Sequence, residues 1–148
     1  LEVTMTAPSS KNTRSTRILV TDKPEIMAGI AGMRSTGTAF AADAPLAFVV
    51  MGDQEQTDLW MVNSAISATV LQFAAEDEGL GTCWMQVEGR PHHNEAPGGI
   101  SAEEYLHGLI PETKPYRILG VVPAGCHVGE AKPHSVRDDS DKVIFITE

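Results

Sequence analysis

Positive charge is scarce in this sequence. Eleven lysines and arginines stand against 20 aspartates and glutamates, a net charge of −9. That deficit excludes nucleic acid as a partner class, because such binding rests on neutralising phosphates with Lys and Arg. It also gives no basis for docking on an anionic membrane. A phosphorylated ligand would need the few cations gathered in one place. Cysteine is equally sparse. Cys83 and Cys126 lie far apart and form no CxxC or Cys/His metal pattern. They read as two reduced, partly buried thiols of a cytosolic protein.

Long hydrophobic runs are missing too. The least polar stretch, residues 59–75, carries no charge, but Asn63, Ser64, Ser67, Thr69 and Gln72 interrupt it. It is shorter than the ~20 apolar residues that span a bilayer and reads as a buried helix. No basic region followed by an apolar one opens the chain, so no signal peptide is visible. The expected location is the cytoplasm, with no membrane partner. Hydrolytic and metal sites also find no support. Ser15 and Ser64 lack a Gly-x-Ser-x-Gly context. Asp53, Glu55 and Asp58 make no carboxylate pair, the adjacent His92 and His93 form no favourable zinc pair, and His107 stands alone.

What is present is ordinary globular chemistry. The 148 residues, 42% apolar and 21% charged, suit one domain spanning residues 1–148. There is no repeat and no low-complexity tract. Leu1 is not an initiator Met, and residues 1–10 read as the tail of a helix begun upstream. Residues 17–21 form a β-branched strand. Asp22-Lys23-Pro24 then starts a helix, with Asp22 as cap and Ile26, Met27, Ile30 and Met33 at helical spacing. Residues 46–51 are a strand buried on both faces. A long helix runs from about residue 58 to 78, apolar nearly all round, so it is central or shared with a partner. Gly79 stops it.

Residues 81–87 follow as a strand, and residues 89–99 as a loop rich in Gly and Pro. Ser101 to Glu104 is a capping-box helix start. Residues 116–122 form another buried strand, ended by Pro123-Ala124-Gly125. Residues 126–141 are polar and irregular. Residues 142–147 close the chain as a strand-prone run, either returning to its own sheet or carried onto another subunit. Four or five strands among helices point to a sheet covered on both faces.

Three segments together resemble the nitroreductase family. The first is Ala7-Pro8-Ser9-Ser10-Lys11-Asn12-Thr13-Arg14, followed at once by a strand. The second is the long helix ending in Glu78-Gly79-Leu80-Gly81-Thr82-Cys83-Trp84. The third is Tyr116-Arg117-Ile118-Leu119-Gly120-Val121-Val122, then a Gly-containing loop and Lys132-Pro133-His134. The resemblance implies an α+β fold, a three-layer α/β/α sandwich with a mixed central sheet. It implies a homodimer in which the long helix forms much of the interface and the C-terminal strand is exchanged. It implies flavin mononucleotide (FMN) between subunits, NADH or NADPH as electron donor, and a nitroaromatic, quinone or similar small-molecule acceptor. A non-catalytic flavin- or nucleotide-binding sensor on the same fold is the rival reading.

The resemblance also nominates residues. Pro8, Ser9, Ser10 and Asn12 offer hydroxyls, amides and backbone N–H groups to a ribityl chain or phosphate. Lys11, Arg14 and Arg17 add three cations within seven residues. Where the family often continues with Gln-Pro-Trp, this chain has Arg14-Ser15-Thr16, which brings Arg14 toward the flavin edge or the substrate. Leu80 and Gly81 turn the chain off the long helix. Backbone N–H groups near Gln86 and Val87 would pass the flavin, at positions where many members carry glycine. Lys132, with His134 or Arg137, would approach the phosphate. The family usually opens with a basic segment that this sequence lacks. No catalytic side chain is assigned, since a flavin carries the chemistry. Residues 90–110 are the expected lid, with His92, His93 and Tyr105 contacting substrate.

Overall fold

The computed structural model describes residues 1–93, 98–126, 129 and 138–146. Five strands form one sheet: β1 (Thr16–Thr21), β2 (Leu46–Gly52), β3 (Leu80–Thr82), β4 (Met85–Gln86) and β5 (Arg117–Cys126). Three helices cover it: α1 (Pro24–Ala31), α2 (Trp60–Asp77) and α3 (Ala102–Leu109). The strand order is β1-β2-β5-β3, with β4 also paired to β5. Every pairing among the described residues is antiparallel.

The three layers follow from alternation along the central strands, whose successive side chains point to opposite faces. Ala47, Val49 and Met51 of β2 join Ile118 and Val121 of β5 on one face. There they meet Met27 and Ile30 of α1 and Leu106 of α3. Phe48 and Val50 join Val122 and Ala124 on the other face, against Ala68 and Leu71 of α2. The continuous apolar run of β2 is therefore buried on both sides, as its pattern predicts. The β2–β5 register slips between Val50 and Met51, which leaves Leu119 as the extra residue of a bulge.

Several boundaries differ from the sequence reading. The cap of α1 is Lys23 rather than Asp22, with Pro24 at the first helical position. Met33 lies past the end of α1 yet is fully buried. The strand expected over residues 81–87 is two short strands, broken at Cys83 and Trp84. β5 does not stop at Pro123 but runs on to Cys126. The two corrections share one cause. Pro123 accepts the Cys83 N–H through its carbonyl at 3.3 Å. In an antiparallel strand a residue's carbonyl and N–H face the same side, so the missing N–H of Pro123 sits opposite the break, where no ladder bond is lost.

Among the described residues, 143–146 of the C-terminal run do not join the sheet. Val143, Ile144, Phe145 and Ile146 are 55%, 86%, 81% and 96% exposed and belong to no strand. No helix among the described residues is long and apolar enough to cross a membrane.

The capping box of α3 forms as its sequence predicts. Ser101 Oγ accepts the Glu104 N–H at 3.0 Å, and Glu104 Oε2 accepts the Ser101 N–H at 2.7 Å. The bond from the Ser101 backbone, then that from its hydroxyl, holds the Glu104 carboxyl below its usual value. A lowered folded pKa means that the contribution is present above the unfolded value and is lost as pH falls through the folded one. Glu104→Gln is expected to weaken that acid dependence while leaving the neutral-pH fold intact. Thermal melting of both proteins between neutral pH and about pH 3 checks it.

Candidate functional site

The Ser-Ser loop ahead of β1 is built on α2. Asn63, 1% exposed, reaches out of the helix with both ends of its amide. Its Oδ1 accepts the Ser10 N–H at 2.9 Å. Its Nδ2 donates to Ser15 Oγ at 3.0 Å and to Thr13 Oγ1 at 3.3 Å. One turn further, Ser67 Oγ lies 3.1 Å from Thr16 Oγ1, and Ser64 Oγ donates to the Met51 carbonyl at 3.0 Å. Spacing of one and four residues puts all three polar side chains on one helix face. That face points into the molecule.

The loop itself is tightly wound. Lys11, Asn12 and Arg14 have φ of 50°, 53° and 50°. The left-handed region costs roughly 1–2 kcal/mol for a residue with a Cβ, less for Asn. Ser9 Oγ accepts the Arg14 N–H at 2.9 Å and closes the turn. Arg17 is a structural cation: its Nη1 donates to the Arg14 carbonyl at 2.8 Å, it pairs with Asp53 at 3.8 Å, and it lies 5.6 Å from the Tyr116 ring centre. Lys11 and Arg14 are exposed, and among the described residues neither pairs with a carboxylate. In a chain of net charge −9 these two unneutralised cations suit an anionic ligand.

Some nominated residues have other work. The Ser10 N–H is spent on Asn63, so the Ser-Ser turn is less open than its sequence implies. Val87 is fully buried and its N–H donates to the Leu119 carbonyl at 3.1 Å, so it is no free donor to a flavin. His92 and Tyr105 stack at 4.1 Å and are both fastened to the α1 region. His92 Nδ1 bonds the Met33 carbonyl at 2.8 Å, and Tyr105 donates to the Gly29 carbonyl at 3.1 Å. These bonds fix both rings against the α1 region and leave Nε2 of His92 outside them. Residues 102–109 of the expected lid are helix α3. Lys132, His134 and Arg137 lie outside the described residues.

The remaining candidates do not meet within one chain. Ser9 and Arg14 line a small cavity of about 100 Å³ with Thr4, Thr16 and Ser67. Gly81 lines a different one of about 360 Å³, beside Pro45, Cys83 and Pro123. Leu80 lines a third of about 350 Å³, beside Phe48 and Leu71. The loop feeds β1 at one end of the strand order, while Leu80 and Gly81 belong to β3 at the other. Three strand steps of ~4.8 Å separate those edges by roughly 14 Å.

The outer face of α2 completes the picture. Met61, Val62 and Phe73 are 39%, 53% and 73% exposed. The buried face mixes Asn63, Ser64 and Ser67 with Trp60, Ala68, Leu71 and Ala75, so apolar side chains stand on both the inner and the outer side of the helix. Asn63 is the residue that sequence reasoning missed. Its signal was its spacing with Ser64 and Ser67. Asn63→Ala is expected to leave the Ser10 N–H without a partner and to destabilise the fold by about 1–3 kcal/mol. Urea denaturation measures the loss, and proteolysis should nick the loop at residues 9–14 sooner.

No protein-family model and no curated protein matches the chain. Solved structures do. An FMN-dependent nitroreductase from Clostridium difficile R20291 is 31% identical, with a TM-score of 0.88, covering 97% of this chain and 82% of that one. A nitroreductase family protein from Streptococcus pneumoniae TIGR4 shares the fold at 16% identity and a TM-score of 0.74, covering 99% and 86%. A candidate nitroreductase from Desulfovibrio desulfuricans, solved in complex with FMN, shares it at 18% and 0.71, covering 99% and 81%. With its order of segments, its three layers and a relative of that identity over nearly its whole length, the chain belongs to the nitroreductase family.

Proposed function

We propose that the protein is an FMN-dependent oxidoreductase of the cytoplasm that works as a homodimer. Its donor is NADH or NADPH, and its acceptor is a nitroaromatic, a quinone or a similar small molecule. The observation that carries this reading is the cation-bearing Ser-Ser loop, wound against Asn63, in a chain 31% identical to an FMN-dependent nitroreductase. Bound FMN would supply the redox chemistry.

The chain's own residues supply position and charge. Ser9, Ser10 and Asn12 offer short polar groups, and Lys11 and Arg14 offer positive charge to an anionic ligand. Leu80, Gly81 and Gln86 come from the opposite side of the sheet. The two groups are brought together by a second copy of the chain, because one chain holds them at opposite edges. Pro8 shapes the approach to the loop. Lys132 and His134 are assigned to the phosphate on the resemblance alone.

The homodimer is supported by two apolar surfaces. One is the outward face of α2, with Val62 and Phe73. The other is the C-terminal run from Val143 to Ile146, which finds no strand in its own chain and suits exchange onto a partner. Sedimentation is expected to give about twice the chain mass of 15.9 kDa. Phe73→Glu places a charge on that face and should yield the monomer.

The activity is tested by the visible spectrum of the purified protein under nitrogen. Flavin bands at about 450 nm that bleach on adding NADPH or NADH are the expected result. Bands that persist with both donors would instead support the flavin-binding sensor. A colourless protein that takes up no added FMN would sink the flavin reading altogether.

A further inference from the structure

Both ends of the Gln86 side-chain amide are engaged. The indole N–H of Trp84 donates to Gln86 Oε1 at 3.0 Å, and Gln86 Nε2 donates to the Glu88 carbonyl at 3.1 Å. The amide has only one workable orientation. An indole nitrogen is a donor only and a backbone carbonyl is an acceptor only, so the oxygen must face Trp84 and the nitrogen must face Glu88. Trp84 is fixed in turn by Gly120, which lies directly opposite Gln86 across the β4–β5 pair. A Cβ on Gly120 would sit 2.5 Å from the indole ring. The ring occupies the space that a side chain would fill.

Glu88 is held at every polar group. Its N–H donates to the carbonyl of the bulged Leu119 at 3.1 Å, its carbonyl accepts from Gln86, and its carboxylate lies 3.7 Å from Arg117. Arg117 is itself anchored, its Nε bonded to both Glu103 oxygens at 2.9 and 3.0 Å. Beyond Glu88 the chain turns at once. Gly89 has φ of +70°, and the Arg90 N–H closes on the Val87 carbonyl at 3.0 Å. The turn over residues 87–90 adjoins the stretch expected to run past the flavin.

We propose that Gln86 is a positioning residue for this turn, acting through the Glu88 carbonyl, so that the backbone following the flavin contact assigned to Gln86 is already shaped before FMN arrives. The proposal rests on the flavin reading and deepens it. A pre-set turn binds with less loss of conformational freedom. A glycine at this position has no amide with which to form the relay.

Gln86→Glu tests the relay at nearly constant shape. The carboxylate keeps an acceptor for Trp84 but sets an oxygen against the Glu88 carbonyl. When protonated it regains a donor. Two measurements are made on the full chain: amide hydrogen exchange at Arg90 without ligand, and the FMN dissociation constant by fluorescence titration. Loss of one hydrogen bond is expected to speed Arg90 exchange and to raise the FMN Kd, each by about tenfold near neutral pH. The Kd ratio of Gln86→Glu to wild type should fall as pH is lowered through the carboxylate range, a trend that a packing defect would not produce. Trp84→Phe removes only the indole donor and should shift both readouts in the same direction, which covers a poorly folding first variant. Unchanged exchange, or faster exchange with an unchanged Kd, overturns the proposal while wild-type binding stands. Failure of the wild type itself to bind FMN sinks the flavin reading and this proposal with it.

Discussion

A primary amide sealed inside an apolar helix must find partners or cost several kcal/mol, and Asn63 finds all of its partners in one place. Those partners are Ser10, Thr13 and Ser15, which straddle the wound loop. The loop's three left-handed residues are sustained by that anchor. So is the presentation of Lys11 and Arg14. The same requirement agrees with how α2 sits. Asn63, Ser64 and Ser67 face inward on the side where Ala68 and Leu71 pack against the sheet, while Met61, Val62 and Phe73 face out. Hydrogen bonding and apolar burial thus set one and the same orientation of the helix.

Much of the architecture was legible because local chemistry and burial agreed. β2 announced its double burial by an unbroken apolar run. Ser101 and Glu104 announced the start of α3, and Pro24 and Gly79 bracketed helices. The misread elements are those where a partner strand overrides the residue's own preference. Pro123 reads as a stop, yet it continues a central strand because its neighbour is interrupted opposite it. Cys83 and Trp84 read as strand, yet they break it. Neither can be judged alone, since each is tolerated only in the presence of the other.

The site was legible in part, and for a comparable reason. The cations and hydroxyls at residues 9–14 stand together in sequence, so their clustering was visible. Which backbone groups remained available was not. The Ser10 N–H goes to a residue 53 positions away and that of Val87 to Leu119, pairings that only the packed chain reveals. His92 and Tyr105 looked poised for a ligand because they are polar residues near a loop, but Nδ1 of His92 and the hydroxyl of Tyr105 each go to a carbonyl near α1. Composition shows which groups exist; tertiary structure shows which are already taken.

The interruption at Cys83 and Trp84 has a bearing on how these molecules behave when crowded. A sheet edge is a template, and a long flat one recruits strands from other chains into growing aggregates. On the β3–β4 side the template is cut into pieces of three and two residues with a kink between them, too short to seat an incoming strand. Among the described residues, the six of β1 are the longer edge without a partner strand. Of these two flanks it is β1 that offers the longer ladder for an added strand.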